Sequence, residues 1–98
     1  MDKDAIIAVL REHRAELEKL GVRHAALFGS VARGEAGPGS DIDIAIDLDN
    51  ELVRDLYTYV GVERRVAELF DGPIDVVDRA SLKPRIVENV NADLIYAF

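Results

Sequence analysis

Ninety-eight residues carry 12 basic and 19 acidic side chains, a formal net charge of −7, and 49% of them are hydrophobic. That size suits one domain, residues 1–98, around one modest core, and the apolar share is too high for a disordered chain. The absence of cysteine excludes a disulfide scaffold, thiolate zinc sites and thiol catalysis, and the acidic balance argues against sequence-independent binding of DNA or RNA. No apolar run is long enough for a membrane span, and Met1-Asp2-Lys3-Asp4 opens no signal peptide, so the expected location is the cytoplasm.

In chain order, Ile6, Leu10, His13, Leu17 and Leu20 recur at helical spacing, with Asp2 or Asp4 as N-cap and Gly21 as C-cap. Val22 to Phe28 reads as a short buried strand. The following twelve positions, Gly29 to Ser40, hold four glycines and a proline, which predicts a loop with one helical turn over Ser30 to Arg33. From Asp41 the period changes to two. Ile42, Ile44, Ile46 and Leu48 alternate with Asp41, Asp43, Ala45 and Asp47, so the aliphatic side chains share one face of a strand. A long helix is expected over Glu51 to Phe70 on the spacing of Leu52, Leu56, Tyr59, Val66 and Phe70. Asp71-Gly72-Pro73 is a turn, and Ile74 to Asp78 a third strand. Ile86, Val87, Val90 and Leu94 indicate a last helix begun near Pro84, while residues 92–98 fit a helical extension or an edge strand equally well. The order is α-β-loop-β-α-β-α: an α/β fold with a small mixed β-sheet and helices mainly on one face.

The chemistry lies in the loop and the acidic strand. Asp41 and Asp43 share the face opposite the aliphatic one, about 6.5–7 Å apart at Cα. Carboxylates that close repel and favour a proton or a cation, and the hard ion Mg²⁺ takes one or two of them together with water and phosphate oxygens. An Asp-x-Asp pair alone reads as readily as a solvated strand face. An EF-hand is ruled out, because Ala45 and Ile46 stand where that loop needs an oxygen ligand and a glycine. A Walker loop is ruled out too, since no Gly-Lys-Ser/Thr follows Gly29. Gly29-Ser30 nevertheless sits where a strand gives way to a helical turn, a place suited to phosphates. Ser30 stands eleven positions before Asp41, and Asp75 alternates in phase on a neighbouring strand.

Taken together, Gly29-Ser30-Val31-Ala32-Arg33-Gly34-Glu35 and Ser40-Asp41-Ile42-Asp43-Ile44 resemble the Gly-Ser…Asp-x-Asp signature of the polymerase-β nucleotidyltransferase superfamily. Within it the match is to the minimal nucleotidyltransferases (MNT), antitoxins commonly paired with HEPN-domain proteins in toxin–antitoxin modules. The resemblance implies a polymerase-β-like nucleotidyltransferase fold. It implies phosphate binding at Gly29 and Ser30, and metal binding and catalysis at Asp41, Asp43 and Asp75. Asp78 competes for the third carboxylate but has the wrong strand parity. Arg33 is within reach of a phosphate, and equally at home as a solvated loop residue.

The implied reaction is Mg²⁺-dependent transfer of AMP from ATP, with two ions engaged on the nucleotide, to a tyrosine hydroxyl of a HEPN toxin, which neutralises it. A chain this short has no residues left for an acceptor domain, so the acceptor is expected to bring its own recognition surface. Two other readings remain open: nucleotidylation of a small molecule such as an aminoglycoside, and a non-catalytic antitoxin acting by complex formation. Whether the assembly is a homo-oligomer or a hetero-oligomer is left open. His13, His24, Arg64-Arg65, the three tyrosines and Lys83-Pro84-Arg85 have ordinary structural explanations.

Overall fold

A computed structural model describes residues 2–37 and 39–98. The elements are α1 (Lys3–Glu12), α2 (Arg14–Leu20), β1 (Val22–Phe28), α3 (Gly29–Arg33), β2 (Ile42–Leu48), α4 (Leu56–Glu68), β3 (Ile74–Asp78), a 3₁₀ turn over Arg79–Ser81, α5 (Pro84–Asp93) and β4 (Ile95–Tyr96). The strands form one mixed sheet in the order β3-β2-β1-β4. β1 runs antiparallel to both β2 and β4, whereas β2 and β3, joined through α4, are parallel.

The alternation read from β2 is the organising feature. Ile42, Ile44 and Ile46 are buried in one cluster with Ile6, Leu10 and Leu17 of α1 and α2, and Val62 and Val66 of α4. Each such side chain removed from water contributes about 1.5–3 kcal/mol. A register irregularity between Val22 and His24 lets Val22, Ala25 and Leu27 all reach that cluster, although 22 and 25 differ in parity. The opposite face carries Asp43, Ala45 and Asp47. Its cover comes from α5: Val90 is buried outside the main cluster, and Asn91 shares Arg79 with Asp47. Among the described residues, no helix is long and apolar enough to cross a membrane.

Three expectations change. The first helix is two, because His13 leaves helical geometry at φ −100° and ψ 11° while its Nδ1 meets the Val9 carbonyl oxygen at 2.8 Å. The long helix starts not at Glu51 but at Leu56. The Asp49 carboxylate accepts from Glu51 N–H at 2.9 Å and its carbonyl accepts from Leu52 and Val53, which closes a turn. Helix can then begin only where Asp55 caps Thr58 N–H at 2.7 Å. The buried stripe of α4 is therefore Val62 and Val66, and Leu52 and Leu56 are exposed. Finally, residues 92–98 split. α5 ends at Asp93 and β4 pairs Ile95 and Tyr96 with Leu27 and Ala26. The Ala97 backbone completes the closure, donating to Ala25 O at 2.8 Å and accepting from Arg11 Nε at 2.8 Å.

Candidate active site

β1 and β2 are in register with Phe28 opposite Asp43, so the bend at Gly29 lies directly beyond the second acidic position. Gly29 has φ +76°, and a β-carbon there would lie 2.2 Å from Asp43 Oδ2 and 3.0 Å from its Cγ. Two separate constraints thus demand glycine: a backbone angle that L-residues avoid, and a carboxylate occupying the space a side chain would need. Ser30 follows, half-buried in the first turn of α3, with its carbonyl accepting from Glu35 N–H at 2.9 Å.

On the other side of β2, the parallel register sets Asp75 beside Asp43. Asp41 is exposed just before β2 begins. Half-buried Asp43 feels both neighbours. Burial first, then the negative charges of Asp75 and Asp41, hold its carboxyl above the ordinary range, and Arg33 pulls weakly the other way. The Asp78 carboxylate is spent locally, accepting from Ala80 N–H at 3.2 Å and Ser81 Oγ–H at 2.8 Å to cap the 3₁₀ turn.

Arg33 is less free than an isolated loop arginine. Its Nε donates to Glu35 at 2.9 Å and its Nη1 to Asp93 of α5 at 2.7 Å, contacts that raise its affinity for the proton further. Ser40 accepts from Gly37 N–H at 3.0 Å and so holds the loop before Asp41. Neither Asp93 nor Arg79 stands out in the sequence. Arg79 Nε and Nη2 donate to the two Asp47 oxygens at 2.9 and 2.6 Å, and Nη1 reaches the Tyr96 hydroxyl at 2.8 Å. These partners lie 32, 17 and 60 positions apart along the chain. No local pattern marks them.

Among the described residues, no three His, Asp or Glu side chains converge tightly enough to enclose a metal ion by themselves. Asp43 offers hard carboxylate oxygens of the kind Mg²⁺ accepts, and burial and the charges of Asp75 and Asp41 make its ionised form costly. Asp75, exposed at the sheet margin, opens onto a shallow cleft walled by Val60, Glu63, Arg64 and Ala67 of α4.

Comparison with known proteins bears on what such a site does. The model of the nucleotidyltransferase domain matches residues 10–97. The protein adenylyltransferase MntA of Thermococcus cleftensis is 34% identical over 94 residues, covering 95% of this chain and 93% of its own. A solved candidate minimal nucleotidyltransferase superposes with a TM-score of 0.69 at 29% identity, covering 97% of this chain and 95% of that one. The same fold recurs, at 20% identity and a TM-score of 0.63, in a structure of a tri-AMPylated HEPN toxin of Shewanella oneidensis bound to its MNT antitoxin, covering 94% of this chain and 71% of that one.

Proposed function

The chain belongs to the nucleotidyltransferase domain family, and on that footing we propose that it moves AMP from ATP to a tyrosine of a HEPN-domain toxin, silencing the toxin. The observation that carries this reading is the Asp43 carboxylate, packed on the open face of Gly29, charged against Asp75 and Asp41, and given no ion pair of its own among the described residues. Asp41, Asp43 and Asp75 would hold Mg²⁺. When bound, Mg²⁺ supplies charge neutralisation along the triphosphate and lowers the pKa of the attacking hydroxyl.

The remaining work falls to the chain. Gly29 and Ser30 receive phosphate oxygens at the bend, and Arg33, anchored on Asp93 and close enough for its charge to act on Asp43, adds positive potential there. An Asp75 oxygen takes the proton of the tyrosine hydroxyl as its oxygen attacks the α-phosphorus. The bond from that phosphorus to the bridging oxygen breaks, and pyrophosphate leaves. Catalysis of this kind is mostly positioning and charge stabilisation, which a domain of residues 1–98 can provide while the toxin presents the acceptor.

The test is transfer of label from α-labelled ATP, with Mg²⁺, to the product of the neighbouring gene, expected on this reading to be a HEPN-domain protein. Asp41→Asn with Asp43→Asn should abolish it. Label transferred by that double variant would remove the carboxylates from the reaction. Full protection of cells by the same variant would instead point to an antitoxin that acts by occupancy alone.

A further inference from the structure

Arg33 ends α3, three positions after Ser30, so both side chains rise from the same side of the helical turn at the bend. It is also the cation whose charge acts on Asp43. The guanidinium is gripped at two of its three nitrogens, by Glu35 at Nε and by Asp93 at Nη1, while Nη2 has no hydrogen-bond partner among the described residues. The two grips differ in kind. The Glu35 side chain is 65% exposed, and a pair that open contributes little. The Asp93 side chain is only 22% exposed, and its backbone is fixed from both sides. Val90 is buried one turn earlier in α5, and β4 begins two residues later against β1. Asp93 is also out of place for its own helix. The last turn of a helix favours cations, and α1, α2 and α4 carry Arg11, Lys19 and Arg65 there. α5 has no basic residue in its last turn and closes on a carboxylate instead. A charge that the helix itself disfavours is accounted for by its hold on Arg33.

We propose that Asp93 is a positioning residue for nucleotide binding: it anchors Arg33 through Nη1, so that the guanidinium stays beside the Gly29-Ser30 bend with Nη2 left to donate to a phosphate oxygen of the nucleotide. A free arginine gives up its rotamer freedom when a ligand arrives. One held by Asp93 has lost that freedom on folding, so the triphosphate meets a prepared cation. Charge counting points the other way. Asp93 adds a negative charge near a polyanion, so by Coulomb repulsion alone its removal should tighten ATP binding. Positioning requires that its removal weaken binding. The sign of the change therefore separates the two. This inference rests on the nucleotide placement in the transfer reading above and adds to it the residue that prepares the cation.

The experiment is titration calorimetry of Mg-ATP, with no acceptor present, against wild type, Asp93→Ala, Asp93→Glu, Arg33→Ala, the double alanine variant and Glu35→Ala. Melting without ligand is recorded for each. Asp93→Ala replaces a carboxylate at a helix C-terminus with a strong helix former, so it should fold and melt within about 4 °C of wild type. Asp93→Ala and Arg33→Ala should each weaken Mg-ATP binding at least about fivefold, and the double variant no more than Arg33→Ala, because Asp93 acts through the arginine. Asp93→Glu should recover part of the loss, and Glu35→Ala should bind as wild type does or more tightly. Unchanged or tighter binding by Asp93→Ala would overturn the proposal. So would single losses that multiply in the double variant, an equal loss in Glu35→Ala, or a loss of affinity accompanied by a melting temperature far below that of wild type. Label transfer to the product of the neighbouring gene keeps the two readings apart. The expected binding pattern with no label transferred by wild type would leave the positioning role standing and refute the transfer reading. Transfer by Asp93→Ala with an unchanged KM for ATP would do the reverse.

Discussion

Asp43 and Asp47 sit four positions apart on the same face of the same strand, and the molecule treats them in opposite ways. Asp47 meets Arg79 through two donated hydrogen bonds, with Tyr96 and Asn91 closing around the guanidinium, whose affinity for its proton rises as a result. Asp43 meets two further carboxylates and a glycine bend, and its proton affinity rises through burial first and then through the charges of Asp75 and Asp41. One end of the strand is an ion pair that holds the C-terminal segment in place. The other is a concentration of negative charge that the fold alone does not neutralise. Identical residues on one strand thus serve stability at one end and, in the proposed reaction, substrate at the other.

That contrast can be broken from either side. The largest effect belongs to the substrate end: Asp41→Asn with Asp43→Asn should reduce AMP transfer about a thousandfold or more, read as incorporated label. At the structural end, Arg79→Ala should cost about 1–3 kcal/mol in urea unfolding, because the largely buried Asp47 carboxylate loses both donors. Transfer measured well below the unfolding midpoint should barely change. Gly29→Ala joins the two kinds of loss. Its positive φ costs about 1–2 kcal/mol, and the new methyl displaces the Asp43 carboxylate, so both melting temperature and transfer rate should drop.

A gentler test turns on a change of sign. Asp43 is held above its usual pKa in the folded state, so ionising it costs stability at neutral pH, and Asp43→Asn should melt higher than wild type. Every kcal/mol relieved is worth about 4–8 °C in a domain of this size. As pH falls through the raised pKa, the folded wild type takes up its proton before the unfolded chain does, so its deficit should shrink. Below the ordinary aspartate value of 3.8 the deficit should be gone, as differential melting across that range would show. Asp47→Asn should do the reverse at neutral pH and lower the melting temperature.

How much of this was legible beforehand depends on the range of the interaction. The period-two pattern of β2 located the core face, and parity placed Asp75 rather than Asp78 on the face of Asp43, beside which the register sets it. The glycine and serine of the bend were visible as a local motif. What the sequence concealed is one local turn and several interactions that act at a distance. The start of α4 is delayed by a turn that Asp49 builds, and Leu52 and Leu56 keep helical spacing while contributing nothing to the core. Arg79 and Asp93 carry no motif, since each acquires its role only once α5 folds back over the sheet. Residues 92–98 were ambiguous because two paired residues of strand make too short a pattern to recognise without the neighbour that selects it.

The pairing of β4 with β1 has a consequence for the order in which the molecule is made. Leu27 and Ala26 wait for Ile95 and Tyr96, and Ala25 for Ala97, while the Arg11 side chain is tied to the backbone at residue 97. Until those residues leave the ribosome, the strand that ends in the Gly29 bend is an open sheet margin, with the sticky character such margins have. A nascent chain arrested before residue 95 therefore carries the Gly29-Ser30 bend and all three aspartates on an unfinished scaffold.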